Sequence, residues 1–225
     1  MKHPLLLRPS QRLFCCGRGF FSSLLPPNTP APSELTPVEL FSFLLDDPLD
    51  EITKIVMNNG SVMILTRQGR LLGCGRNQHG VLMMGDSTPR PFPSPCKFFH
   101  NRIVTDVALS HRHALVVTQD GQVYSCGVTD VNKKGETVCS SGDKSLRPHE
   151  ISHKWGEPIV KVMAFPAQSF FLTRAGRMYA CGMGYGVVPV QVHVKSGGSA
   201  DLSMYREVKA TDELDFYLAE HQVSV

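Results

Sequence analysis

The chain has no Cys-x-x-Cys pair, no apolar run approaching a membrane span, and no acidic residue in its first 33 positions. Each absence excludes something. Seven cysteines without short-range pairing give neither a disulfide framework nor a zinc knuckle. A bilayer needs about 18–20 consecutive apolar residues, so no membrane span is expected. The acid-free start changes the reading of net charge. Over 225 residues, 23 Lys and Arg against 20 Asp and Glu give +3. Lys2, Arg8, Arg12 and Arg18 stand in residues 1–33, which leaves residues 34–225 with 19 basic and 20 acidic side chains. The positive charge belongs to the N-terminus and the body is nearly neutral.

Residues 1–23 are rich in Arg, Ser and large apolar residues, the composition of an organellar transit peptide. Arg8 and Arg12 interrupt the apolar run that a secretory signal requires. A mitochondrial address is expected, with a plastid one or an uncleaved, merely irregular N-terminus as the alternatives, and Arg18-Gly19-Phe20-Phe21-Ser22 resembles a processing site. Localisation in the matrix or at the periphery of the inner membrane follows. Residues 24–36 are read as a linker, since four prolines in the eleven residues 23–33 suit neither helix nor central strand. Thr36-Pro37-Val38-Glu39 forms a capping box with proline at the first helical position. The spacing predicts a short helix within 37–48, with Val38, Phe41, Leu44 and Leu45 on a face that packs against the remaining domain.

Laying the chain on itself reveals a repeat. Residues 52–75, 104–127 and 159–182 align without a gap, at a period of 52 and then 55 residues. Thr66, Thr118 and Thr173 coincide, as do Gly69, Gly121 and Gly176, and the pairs Cys74-Gly75, Cys126-Gly127 and Cys181-Gly182. Each unit reads strand, turn, strand, Gly turn, strand. A fourth strand opened by proline is expected at Pro95–Phe98, Pro148–Ile151 and Pro189–Val192. The repeats span about 52–102, 103–158 and 159–204, and a partial fourth is read in 205–225. Four-stranded units of about 50 residues in tandem predict an all-β chain, a partial β-propeller of three to four blades over residues 49–225, with one short N-terminal helix.

These residues resemble the repeats of the regulator of chromosome condensation. Val107, Ala108, His113, Thr118, Gly121, Val123, Tyr124 and Gly127 match one part of that pattern. Gly75, Asn77, Gly80, Leu82, Gly85 and Asp86 match its loop. Asn58, Ser110 and Phe165 stand where the family has glycine, as does Met83. The resemblance implies a propeller whose work is binding. Closed members have seven blades, so exposed edges here imply cover by a partner chain or by self-association.

Other motifs are absorbed by that frame. His149-Glu150-Ile151-Ser152-His153 spells the H-E-x-x-H of zinc hydrolases, which requires a helix to bring both imidazoles to one face. The proline alignment places it on a strand, where positions i and i+4 stand about 13 Å apart. A metal-dependent hydrolase through His149, Glu150 and His153 is the remote alternative. His111-Arg112-His113 also suggests a metal, but His113 falls at the family's repeat histidine and is expected to be structural. Cys74, Cys126 and Cys181 are read as small core residues. No cofactor and no metal site are expected.

One surface stands out. Arg67, Arg70, Arg174 and Arg177 flank the same hairpin turn in the first and third repeats and are the candidate partner-binding residues. The expected function is non-enzymatic: an interaction or scaffold subunit of a larger mitochondrial assembly, such as a ribonucleoprotein of the mitochondrial ribosome or its assembly machinery. Partners are other proteins of that complex. RNA is a secondary expectation because the body carries −1. Guanine-nucleotide exchange on a small GTPase, implied by the family resemblance, is the alternative.

Overall fold

A computed structural model describes residues 13–15, 36–38, 50–131, 137–152, 154–166, 168–182 and 186–192. Three four-stranded antiparallel sheets follow one another along the chain, each with its strands in sequence order. The first contains β3 (Ile52–Asn58), β4 (Ser61–Thr66), β5 (Leu71–Gly75) and β6 (Arg90–Pro95). The second contains β7 (Val104–Leu109), β8 (His113–Thr118), β9 (Val123–Val131) and β10 (Thr137–Glu150). The third contains β11 (Ile159–Phe165), β12 (Gln168–Thr173), β13 (Met178–Gly182) and β14 (Gly186–Val192). These are the three repeats, as blades of a β-propeller; residues 205–225, read as a partial fourth, lie outside the described residues.

The blades pack face to face because their central strands are apolar on both sides. In β8 the period of two sends Ala114 and Val116 into a core shared with Met63 and Leu65 of blade one. Leu115 and Val117 enter a second core with Ile159, Val162 and Phe171 of blade three. Aromatic residues of the connections plug each junction. Phe98 and Phe99, the latter in a short 3-10 turn at Lys97–Phe99, meet Tyr124 edge-on at 5.4 and 5.5 Å. Trp155 meets Tyr179, the repeat equivalent of Tyr124, at 5.3 Å, and Phe171 at 4.9 Å.

Two expectations are corrected. Thr36–Val38 is a strand, β2, paired antiparallel with β1 (Leu13–Cys15), Leu13 opposite Val38. The capping box does not start a helix at these residues. Two β-branched residues around a proline suit a two-stranded ribbon whose outer side requires no amide. Residues 39–48 of the expected helix lie outside the described residues. Second, Pro95 closes β6 instead of opening a strand, and Cys96 leads into the 3-10 turn. The register explains why. Leu72 pairs with Pro95, whereas its equivalents Tyr124 and Tyr179 pair with Glu150 and Gln191. The true counterpart of Pro148 and Pro189 is therefore Pro93, two residues earlier. Pro93 and Pro148 are both buried.

The Asn59-Gly60 dipeptide turns the chain between β3 and β4 with both residues at positive φ, 43° and 81°. This is the two-residue turn that matches strand twist.

Candidate binding surfaces

The four arginines lie at the turns joining β4 to β5 and β12 to β13, and three are held by acids that the sequence reading did not single out. Arg70 Nε donates to Asp50 Oδ2 at 2.7 Å, and the Asp50 side chain is fully buried. Asp50 Oδ1 accepts the Gln68 amide at 3.0 Å, so one carboxylate fixes both sides of the turn. Burial works to raise the Asp50 carboxyl, and hydrogen bonds from Thr66, Gln68 and Arg70 outweigh it, holding the group below its ordinary value. Blade three repeats the arrangement. Glu157 pairs with Arg177 through Nε at 2.6 Å and through Nη2, while its other oxygen accepts the Ala175 amide at 2.8 Å. Arg67 reaches Glu51 at 2.6 Å. Arg174 is exposed and makes no ion pair among the described residues. The expected patch of four cations is thus mostly neutralised.

Blade two occupies the same two positions with Arg102 and Gln122. Gln122 accepts from the Tyr124 hydroxyl at 2.7 Å, and the Arg102 guanidinium lies over the Phe98 ring at 4.6 Å from its centroid. The acid-to-turn clamp is replaced by an aromatic one.

The turns themselves dock each blade on the next. Gly69 has φ +77°, and its carbonyl accepts the Val104 amide at 3.0 Å; a Cβ there would lie 2.5 Å from Ile103. Gly121 has φ +79°, and a Cβ would lie 2.5 Å from Pro158 at the start of blade three. The equivalent Gly176 has φ +80°, yet among the described residues nothing lies within 4 Å of that position. On the same sheet, Met163, Phe165 and Met178 are half-buried around Phe170 and Ala180, outside the two inter-blade cores.

The titratable residues flagged as chemical candidates serve the packing. His113 is buried, with Nδ1 2.9 Å from Ser110 Oγ and Nε2 2.8 Å from Ser169 Oγ of blade three. Its desolvation lowers the imidazole pKa to about 4. The expected structural role is observed, with the added finding that this histidine ties two blades. Cys74, Cys126 and Cys181 are buried free thiols; burial pushes the first two up to about 12. His149 and Glu150 are exposed at the end of β10, on a strand and not a helix, and His153 lies outside the described residues. No cluster of three metal-ligating side chains occurs among the described residues. Asp106 on β7 joins all three blades: Oδ1 takes Lys54 Nζ of β3 at 2.7 Å, and Oδ2 accepts the Val162 amide of β11 at 2.9 Å.

At the opposite end of the blades, a basic group escaped the sequence reading. Arg76 follows β5, and its amide donates to Gly60 O at 2.7 Å; Arg112 precedes β8, and its carbonyl accepts the Val128 amide at 2.7 Å. These are the same rung in adjacent blades, which puts the two arginines at one end. His79 and His111 meet there with ring centroids 5.4 Å apart. The connecting β5–β6 loop is held by buried Asn77, which donates to Asp86 O at 2.8 Å and accepts from the Leu82 amide at 3.0 Å. Met83, standing in place of a glycine, adopts φ +58° and is buried.

The family models detect the part of this meander that runs from the β4–β5 turn of blade one through blade two. The regulator of chromosome condensation (RCC1) repeat models match residues 68–117 and 104–135. Residues 68–135 carry RCC1 repeat sequence. Human probable E3 ubiquitin-protein ligase HERC4 is 23% identical over 183 residues, covering 81% of this chain and 17% of that protein. The secretion-regulating guanine nucleotide exchange factor of Bos taurus is 26% identical over 133 residues, covering 59% and 28%. The chain therefore spans less than a third of either relative. Among solved structures, human WBSCR16 superposes with a TM-score of 0.63 at 13% identity, covering 82% of this chain and 48% of that one. That similarity concerns the RCC1-type propeller fold. No described helix is long and apolar enough to cross a membrane.

Proposed function

We propose that the protein is a non-enzymatic interaction subunit of a larger mitochondrial assembly, with blade three as its docking edge. The observation that carries this reading is the fate of one turn in three copies. Gly69 and Gly121 each bed onto the first strand of a following blade, and Gly176 presents the same geometry on a sheet that carries half-buried Met163 and Met178. Apolar blade faces are stabilised by cover, at roughly 25 cal/mol per Å² of buried apolar surface. A partner protein is the occupant proposed, because the blade-to-blade junctions here are built from side chains and turns that another chain can supply equally well. The acid-free N-terminus supports import.

Affinity purification of the tagged full chain from mitochondria tests the reading. Wild-type protein is expected to recover a stable set of partners, and Met163→Glu with Met178→Glu to lose them while keeping its folded circular dichroism. Unchanged recovery would overturn the docking edge. A second reading, guanine-nucleotide exchange, is favoured by the relative that bears that name. Acceleration of labelled-nucleotide release from a co-purifying GTPase would move the assignment there.

A further inference from the structure

We propose that the loop end of blades one and two binds the phosphate backbone of a single-stranded polynucleotide, through Arg76 and Arg112 with His79 and His111. At the turn end, Asp50, Glu51 and Glu157 pair with three of the four arginines and leave Arg174. At the loop end the balance differs. Arg76 and Arg112 are exposed and take part in no ion pair among the described residues. Asp86 is the sole acid in the β5–β6 loop and the two adjoining hairpin turns, and Arg90 engages it at 2.7 Å. Two guanidinium forks therefore face solvent on neighbouring rungs with no carboxylate of these loops to compete.

Their backbones are fixed by the hydrogen bonds to Gly60 and Val128, and the loop is braced from beneath by Cys126 Sγ on Gly80 O at 3.0 Å. With the backbone already fixed, only side-chain freedom is lost on taking a phosphate. The half-exposed, edge-to-face imidazole pair adds donors and an aromatic surface on which a splayed base stacks. An acidic protein would also satisfy the charge. Protein interfaces, however, centre on large apolar or aromatic anchors. Among the described residues the exposed large apolar ones are Met57, Phe92 and Ile103, and none lies in these loops or turns.

The test is fluorescence anisotropy of the purified full chain with a labelled single-stranded oligouridylate, across a salt series. Wild type is expected to bind, and Arg76→Ala with Arg112→Ala to weaken binding at least tenfold. The magnitude of the salt slope should fall by about 1.4, at roughly 0.7 for each phosphate no longer neutralised. Arg76→Lys with Arg112→Lys keeps the charge and should recover part of the affinity, which separates the removal of a cation from damage to the fold. Arg67→Ala with Arg174→Ala, at the other end, should leave binding unchanged. A single-stranded deoxyoligonucleotide in parallel distinguishes RNA from DNA as the source of the backbone. The proposal fails if the wild type does not bind, if both double alanine variants weaken it equally, or if poly-glutamate displaces the oligonucleotide at equal charge concentration. Protein partners are not in this assay, so its failure leaves the docking edge of blade three standing.

Discussion

His113 shows how a residue that looks like chemistry becomes packing. Its imidazole is neutral in the fold at any pH above about 4, because burial penalises the charge and both ring nitrogens are taken by serine hydroxyls. Unfolded, it titrates near 6.5. Between these values the unfolded chain binds more protons, so stability rises with pH across that interval and is lost as pH falls through it. The His113 contribution is of order 3 kcal/mol. Urea midpoints measured from pH 7 down to pH 4.5 should fall, and the fall should shrink in His113→Gln; an identical profile in both would refute the assignment. The Gly turns give a second contrast at this scale. Alanine at Gly176 meets only the left-handed backbone penalty of about 1–2 kcal/mol. At Gly121 it also clashes with Pro158, adding about 1–3 kcal/mol. Chemical denaturation of the two variants should separate by that increment. Met83 combines both effects in one natural residue: a strained φ of +58° is held by burial of its side chain. Met83→Gly should therefore not stabilise the protein, since losing a buried methionine costs about 2–5 kcal/mol against the relief of strain.

Blades are tied to one another by groups within their first strands. Asp106 is the clearest case, because a single carboxylate receives a lysine from the first blade and an amide from the third. Asp106→Ala leaves the Val162 amide without its partner, and a loss of about 2–4 kcal/mol is expected by urea denaturation. Lys54→Met should cost less, since Lys54 is partly exposed and its pair is screened. The strand pattern, the blade count and the coincident cysteines were legible in the sequence, because a gap-free period of 52 and 55 residues leaves no other register for β-branched alternation. The arginine clamps were not. Asp50 and Glu157 stand two residues before the point where each repeat begins, and about 20 residues from the arginines they hold, so no local motif connects them. The capping box at Thr36 misled for the opposite reason: it is a purely local signal, and pairing with Leu13–Cys15 overrode it. The two-residue offset of Pro93 against Pro95 was hidden by the alternation of proline in Arg90–Pro95, which allows either register until hydrogen bonds choose.

At the scale of the molecule, charge is partitioned by face and by segment. The N-terminal 33 residues hold the excess, and a fluorescent fusion of residues 1–33 is expected to enter mitochondria; a cytosolic signal would remove the localisation proposal. Within the blades, three of the four arginines at the turn end are paired with acids, whereas Arg76 and Arg112 at the loop end are not, so a bulk value of +3 describes neither surface.

The one-way docking of the Gly turns also bears on synthesis. Gly69 is seated against Ile103 and Val104, and Gly121 against Pro158 and Ile159. A blade emerging from the ribosome thus waits for about 35 further residues before its turn is seated. Each newly finished strand locks the blade behind it, so the chain closes from N-terminus to C-terminus like a ratchet, and at every moment its last blade is the unfinished one.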